Sequence, residues 1–272
     1  MANKWFAGFL GFLNAPCAFI YLGRFRLAAI YFFALVLTYV FNSYFESVKA
    51  FIFFGPLVTI AAIVHAVRIA KNTDFSAGRK WYNYWWGVLL IPVSLFSIIF
   101  LIRAFIGEPY SIPSSSMSPS VEVGDHILVK KWGYGSYGTL GVSVVKLSVE
   151  KRVMLERGQV AVLIPPHIDV PFLDRVIGAP GDKIEFDNKK LIINGVPVKT
   201  EFLADNLVRE TIGEHSYTVK YIDDRSNLRS GKWIVPANHY FVMGDNRDNV
   251  SDGRIWGMVP AENIIGAMWL KW

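Results

Sequence analysis

The side chains that could do chemistry fall in three short segments in the second half of the chain. Ser114, Ser115 and Ser116 are consecutive in SSSMSP, while acids and arginines are interspersed in FLDRVIGAPGDK (172–183) and MGDNRDNVSDGRIWG (243–257). A serine hydroxyl is a weak nucleophile at neutral pH unless a neighbouring base takes its proton. A cluster of serines and prolines alone is more typical of a linker. The three segments therefore have to be considered together.

Metal and cofactor chemistry find little support in the sequence. The chain has a single cysteine, Cys17, and the histidines of its second half never fall at a ligand-like spacing such as HExxH. These histidines are His126, His167, His215 and His239. The glycine-rich segment GYGSYG (133–138) lacks the strand and the Lys-Ser/Thr pair of a phosphate-binding loop. We therefore expect neither a metal nor a cofactor.

The elements that must position these segments begin with long apolar runs. Of the 272 residues, 53% are hydrophobic and only 18% are charged, a balance shifted toward membrane proteins. Three runs approach the length of about 20 residues that crosses a bilayer as a helix. They are residues 27–45, 50–67 and 84–102. An earlier run, 5–23, is broken by Asn14 and Pro16 and predicts a re-entrant or interfacial segment, with a fourth span as the alternative. The sequence thus predicts a membrane domain over residues 1–106.

The charge distribution predicts how this domain is oriented. Residues 1–106 carry a net charge of +7 and the remainder carries −1. This excess of basic residues is a topology signal and gives no reason to propose nucleic acid as a partner. The 68–83 loop holds four basic residues, whereas the loop before it holds only Lys49. Because short basic loops stay in the cytoplasm, we expect the third span to run outward and the rest of the chain to lie outside.

From His126 onward the pattern changes to short apolar segments separated by turn residues. These segments read HILVKKW, QVAVLIP, DRVIGAP, KIEF, KYI and HYFVM. They are rich in residues that favour strands, and Asn194-Gly195 in LIINGVPV is a hairpin signal. We predict a mainly-β extracytoplasmic domain of antiparallel strands over residues 107–272. The more polar residues 200–232 would be an insertion or cap.

Four motifs, taken in chain order, resemble those of the type I signal peptidases, the membrane-bound serine endopeptidases that remove signal peptides from exported proteins. They are SSSMSP (114–119), RGQVAVL (157–163), RVIGAPGDK (175–183) and GDNRDN (244–249). One such motif is weak, but four in order after outward-facing spans are specific. The resemblance implies a signal-peptidase-like antiparallel β fold and cleavage of preproteins after small residues in an A-x-A pattern. It also implies a multi-pass protein of the bacterial cytoplasmic membrane, with its catalytic domain on the outer, periplasmic face.

The resemblance further implies a role for each serine. Ser116, directly before Met117, matches the nucleophile. Ser114 matches the residue whose hydroxyl joins the backbone N–H of Ser116 in holding the oxyanion, and Ser115 is a spacer. Such an oxyanion needs two or more fixed donors, and loss of one costs on the order of 3 kcal/mol.

Four charged residues match positions that support the active-site region of the family. They are Arg175, Asp245, Asp252 and Arg254. Asp245 is a candidate partner of Arg175. An ordinary ion-pair network around a turn accounts for these residues equally well.

Two positions depart from the family pattern. Bacterial members have a lysine as general base where this chain has Asp174, and usually a serine where it has Val250. An aspartate has a pKa near 3.9 and is a weak base unless burial raises that value. Its side chain is also about 2.5 Å shorter than that of lysine. A bridging water, His126 or His167 could relay the proton, since eukaryotic relatives use a histidine in the role of the lysine.

These departures leave three functions open. The first is a signal peptidase in which Ser116, Asp174 and Ser114 are catalytic. The second is a catalytically weakened or inactive homologue that acts as a binding or regulatory membrane protein. The third is a peptidase specialised for a narrow set of substrates.

Overall fold

The computed structural model describes residues 2–44, 54–76, 78–204, 206–222 and 230–272, the side chains of residues 39–44 excepted. The loop with Lys49, and residues 205 and 223–229 of the predicted insertion, lie outside these ranges. The chain divides into two compact units, Met1–Ile98 and Ile99–Trp272.

The first unit is built from apolar helices. They are α1 (Lys4–Leu13), α2 (Ala15–Tyr21), α3 (Phe25–Tyr44), α4 (Phe54–Asn72) and α5 (Trp85–Leu101). The end of α5, from Ile99, and the wider helical turn over Ile102–Ile106 that follows it belong to the second unit. Asn14 separates α1 from α2, and Pro16 lies in the first turn of α2. The predicted break is therefore present, and no continuous helix covers residues 5–23.

Two helices of the described part of the chain are long and apolar enough to cross a membrane, Phe54–Asn72 and Trp85–Ile106. The first predicted span corresponds to α3, whose apolar stretch is described over Phe25–Thr38. Small residues let α1 approach α4 closely, because a Cβ added at Gly11 would lie only 3.3 Å from the Cα of Ile63.

The second unit is mainly β. Its strands are β1 (Gly107–Ser111), β2 (His126–Lys130), β3 (Ser136–Thr139), β4 (Val142–Lys146), β5 (Val160–Leu163), β6 (Phe172–Gly178), β7 (Lys183–Asp187), β8 (Lys190–Ile193), β9 (Val196–Pro197), β10 (Lys199–Ala204), β11 (Leu207–Ile212), β12 (His215–Lys220), β13 (Gly231–Ile234), β14 (His239–Met243), β15 (Val259–Pro260) and β16 (Ile264–Lys271). A short helix, α6 (Gly253–Trp256), lies between β14 and β15.

Antiparallel pairing joins these strands into four sheets. The largest has the order β1-β2-β16-β5-β6-β14-β15, and the others are β13-β7-β8-β9, β10-β11-β12 and β3-β4. The strands pair antiparallel in each of these sheets, as in β5 with β6 and β6 with β14. The prediction of a mainly-β domain with antiparallel sheets is thus confirmed.

Most of the predicted strands are present, with two differences. Tyr221 and Ile222 of the KYI segment follow β12 rather than forming a strand, since that strand ends at Lys220. The described residues of the predicted insertion are also more regular than expected, because those up to Lys220 contribute to the β10-β11-β12 sheet. The Asn194-Gly195 turn is as predicted, with φ values of 53° and 81°.

The polar character of β11 and β12 explains why this sheet was not predicted. Only one face of it is buried, where Ile212, Tyr217 and Val219 join the hydrophobic core around Ile184. The opposite face is solvated, so the segment has the alternating composition of a half-buried antiparallel sheet.

The main sheet brings the three chemistry-bearing segments together. The serine segment forms the loop from β1 to β2, Asp174 and Arg175 lie on β6, and Asp245 follows β14. Since β14 is the neighbour of β6, the second and third segments meet where these two strands pair in this sheet.

Candidate active site

The serine segment is a turn anchored by a buried methionine. Met117 is 1% exposed and packs in an apolar cluster with Val121 and Ile127. Ser116 is half-buried and Ser114 is exposed. Their Oγ atoms lie 3.2 Å apart, so the two hydroxyls are hydrogen-bonded to each other.

The GDNRDN segment (244–249) is hydrogen-bonded to this turn. The backbone N–H of Asn246 donates to the carbonyl of Ser116 at 3.0 Å, and its Nδ2 donates to the carbonyl of Ser115 at 3.0 Å. Gly244 permits the approach, because a Cβ there would lie 2.8 Å from the Ser116 oxygen and 2.6 Å from Cγ2 of Val250. The structure therefore adds Asn246 to the residues of the site; the sequence motif contained it, but nothing in its spacing identified these bonds.

Asp174 is a buried carboxyl with an unsatisfied oxygen. It lies on β6 opposite Ala161 of β5, is 1% exposed, and its Oδ2 has no hydrogen-bond partner. Burial raises its pKa well above the ordinary value for aspartate, and the negative charges of Asp252 and Asp245 raise it further. Arg254 opposes this shift. The desolvation that an aspartate would need to become a stronger base is thus present.

The neighbouring arginines are engaged by other acids. Nε and Nη2 of Arg175 donate to the two carboxylate oxygens of Asp245 at 2.8 and 2.6 Å, the pairing anticipated from the sequence. Arg254 donates in the same way to Asp252, at 2.9 and 2.8 Å. Asp174 consequently has no ion-pair partner in the described part of the chain.

Ser114, Ser116 and Asp174 contribute to the wall of one cavity of about 360 Å³. Most of that wall is apolar and includes Ile112, Met117, Ile127, Val162, Leu173 and Val250. Tyr110 is its other titratable lining residue, and the hydroxyl of that tyrosine donates to Glu108. The cavity thus places a serine pair and a desolvated carboxyl along one apolar groove.

This groove lies within the part of the chain that matches a known family. Residues 85–272 match the family described as signal peptidase, peptidase S26. The chain belongs to the S26 signal peptidase family. It is 37% identical to signal peptidase I of Pseudomonas fluorescens over 206 residues, an alignment covering 66% of this chain and 71% of that protein. The signal peptidase I of Pseudomonas aeruginosa is 34% identical over the same length, and signal peptidase IB of Staphylococcus aureus is 31% identical over 171 residues.

This S26 member is therefore a serine hydrolase of the signal peptidase I type, and the relatives support a peptidase that cleaves signal peptides. The first 84 residues lie outside the match to the family.

Neither candidate histidine lines the cavity of this signal peptidase homologue, as far as the described residues go. His126 is exposed, its Nδ1 lies 3.0 Å from Oγ of Ser111, and its ring stacks on Trp272. His167 is exposed and its ring packs against Phe172 and Trp256. Each histidine therefore contacts one residue of the cavity wall, His126 through Ser111 and His167 through Phe172.

A third buried ion pair beside the site was not predicted from the sequence. Arg247 of the GDNRDN segment donates two hydrogen bonds of 2.6 Å to Glu210 of β11, and the two side chains are 0% and 1% exposed. Tyr217 donates to the same carboxylate at 2.9 Å. The pair links the β10-β11-β12 sheet to the segment that holds the serine turn. No sequence signal joins two residues of such separate segments.

Proposed function

We propose that this protein is a membrane-bound serine endopeptidase that cleaves signal peptides from exported preproteins after small residues, in the A-x-A pattern. Family membership supports the reaction. The observation that carries the proposal for the site is the arrangement of Ser116, Ser114 and Asp174 in the wall of one groove.

In the proposed reaction, Oγ of Ser116 attacks the carbonyl carbon of the scissile peptide bond. Its proton passes to Asp174 through a bridging water, because no direct bond joins these two side chains among the described residues. The hydroxyl of Ser114 and the backbone N–H of Ser116 hold the developing oxyanion. The leaving amine then takes the proton as the peptide bond breaks. A water molecule next attacks the acyl-enzyme while Asp174 accepts its proton, and that proton passes to Oγ of Ser116 as the ester bond breaks.

The pKa of Asp174 decides whether this chemistry is efficient. A carboxylate of ordinary pKa is a poor base near neutral pH, and the best general bases have pKa values near the working pH. The raised pKa of Asp174 therefore supports its role as base in place of the lysine of the family. Arg175, Asp245, Asp252 and Arg254 would position the site without touching the substrate.

The substrate would bind as an extended strand along the groove, with backbone hydrogen bonds providing affinity and shallow apolar pockets selecting small side chains. The helices Phe54–Asn72 and Trp85–Ile106 support anchoring in a phospholipid membrane. The distribution of basic residues supports a multi-pass topology, with a membrane domain over residues 1–106 and a peptidase domain over 107–272 outside the bacterial cytoplasmic membrane.

A second candidate is a homologue that binds signal peptides without cleaving them, as a regulatory membrane protein. It is favoured by the state of Asp174, whose Oδ2 is unsatisfied and whose raised pKa keeps it protonated to higher pH than an ordinary aspartate. A protonated carboxyl cannot accept the proton of Ser116.

Cleavage of a reporter preprotein by the purified full-length protein separates the two candidates. We expect cleavage by the wild type, none by Ser116→Ala, and undiminished cleavage by the matched control Ser115→Ala. Cleavage that survives Ser116→Ala would rule out the proposed nucleophile. An inactive wild type that gains activity as the double variant Asp174→Lys with Val250→Ser would establish the second candidate instead.

A further inference from the structure

The charges around Asp174 are not balanced. Five buried ionisable residues lie together at this point of the main sheet. They are Asp174, Arg175, Asp245, Asp252 and Arg254. Two ion pairs use both arginines, so when all five are ionised one negative charge, that of Asp174, remains without a counter-ion. Leaving a buried charge unpaired is costly, and a cation that reached this position would remove the cost.

The cavity in front of Asp174 has room for such a cation. Its volume is about 360 Å³, whereas one water occupies about 30 Å³ in the liquid, so several carbon atoms fit. Its apolar wall suits methylene groups. Val250, where family members usually have a serine, contributes no side-chain hydrogen-bond donor or acceptor to that wall.

We propose that this cavity binds a primary ammonium group on an aliphatic stem, with the stem against Val162, Leu173 and Val250 and the ammonium at Asp174. An aspartate at the base of the trypsin specificity pocket selects basic side chains by the same principle. The ammonium is the lysine side chain of a bound peptide or a free alkylamine. The first source rests on the proposed function, because it requires a peptide substrate at Ser116.

The chemistry of the wall favours an ammonium over a guanidinium. A guanidinium presents five N–H donors in a planar fork and needs several acceptors. Besides the carboxyl of Asp174, the polar side chains of the wall are the hydroxyls of Tyr110, Ser111, Ser114, Ser116 and Ser251, and its other side chains are apolar. A small ammonium needs fewer partners, and its stem gains from contact with the apolar wall.

The first test measures binding to full-length Ser116→Ala, so that its result does not depend on catalysis. The probes are n-butylammonium and the neutral n-butanol, titrated calorimetrically. We expect the ammonium to bind at least 10-fold more tightly and this ratio to fall to near 1 when Asp174→Asn is added. Equal binding of the two probes, or a ratio unchanged by Asp174→Asn, would overturn the proposal and leave the proposed peptidase untouched.

A second measurement needs no change at Asp174 and so does not depend on how that variant folds. Asp245, Asp252, Arg175 and Arg254 are the charged groups around Asp174, and together they are neutral while paired. The ammonium must bind the ionised form of Asp174, so its affinity should rise with pH through the raised pKa of that group. The affinity of n-butanol should not change. Parallel pH profiles for the two probes would contradict the proposal.

The third test distinguishes the two sources of the ammonium. Three peptides with alanine at the first and third positions before the cleaved bond differ only at the residue after it, and carry lysine, arginine or norleucine there. At least 10-fold tighter binding of the lysine peptide to Ser116→Ala, lost on adding Asp174→Asn, assigns the ammonium to the substrate. Equal binding of the three peptides, with n-butylammonium still selected over n-butanol, assigns it to a free amine. Selective binding without cleavage by the wild type would refute the proposed function and support the recognition site.

Discussion

Ser116 and Asp174 line the same cavity, yet in the described structure their side chains are not hydrogen-bonded to each other. The hydroxyl of Ser116 lies 3.2 Å from that of Ser114, and Oδ2 of Asp174 is unsatisfied. A family lysine would be about 2.5 Å longer than this aspartate. Asp174 therefore has the burial that a general base needs, but its side chain is shorter than the lysine of the family. We expect a bridging water to carry the proton from Ser116 to Asp174.

Alanine variants of the three serines should distinguish the roles of the Ser114 and Ser116 hydroxyls. Ser114→Ala should lower kcat by about 100- to 1000-fold, because it removes one oxyanion donor, while Ser116→Ala should remove turnover. Ser115→Ala is the matched control, since its backbone carbonyl still accepts from Asn246. Preprotein cleavage by each variant checks this, and equal rates for Ser114→Ala and Ser115→Ala would exclude the oxyanion role.

The rate of cleavage should depend on pH through Asp174. Its pKa is raised, so the ionised form that can act as base appears only at higher pH than for an ordinary aspartate. We expect kcat/KM to increase with pH through the raised pKa and this rising limb to disappear in Asp174→Asn. A limb near neutral pH that persists in Asp174→Asn but disappears in His126→Gln would assign the titration to the histidine.

Asp174 should also make stability depend on pH. The folded state binds its proton more tightly than the unfolded state, whose pKa is about 3.9. Its contribution to stability is therefore complete below that value and is lost as pH rises through the raised folded pKa. Asp174→Asn, which is neutral at every pH, should have little effect near pH 4 and become increasingly stabilising toward pH 8. Thermal unfolding midpoints of the full-length protein at several pH values measure this.

Asp182 provides a control of opposite sign. Although burial raises its pKa, hydrogen bonds from Arg157, Asn194 and the N–H of Ala179 lower it below the ordinary value. Its stabilisation is thus present above the unfolded pKa and lost as pH falls through the folded pKa. Asp182→Asn should be more destabilising at neutral than at acidic pH. The same pH trend for both variants would show that the environment assigned to Asp174 is wrong.

Asn246 should act by positioning Ser116. Asn246→Ala removes the bond to the carbonyl of Ser115 and keeps the backbone bond to Ser116. We expect a fall of about 10-fold in kcat with KM little changed, because a loosened turn misplaces the nucleophile without removing a binding contact. Asn249→Ala, an exposed asparagine in the same segment, is the control. A change in KM alone would contradict the positioning role.

The sequence predicted the parts of the site that depend on motif and spacing. Family motifs identified the pair of serines and the Arg175–Asp245 pair. Local turn residues identified the breaks between strands. The environment of Asp174 could not be predicted, because its pKa depends on burial and on the charges of Asp252 and Asp245, which approach it only in the folded sheet. The β10-β11-β12 sheet was not predicted either, because polar residues alternate with apolar ones in its strands. Its buried face can be recognised only when the hydrophobic core around Ile184, against which it packs, is known.

The Glu210–Arg247 pair should be the most sensitive electrostatic contact of the β unit. Arg247→Met leaves the carboxylate of Glu210 buried and unpaired, which should cost about 3–5 kcal/mol. The double variant Glu210→Leu with Arg247→Met should recover most of this loss, because no buried charge remains. Arg209→Ala breaks an exposed pair with Glu201 and should cost less than about 1 kcal/mol. Denaturant unfolding of the full-length protein gives these differences. A double variant as unstable as Arg247→Met would show that packing, rather than the unpaired charge, accounts for the loss.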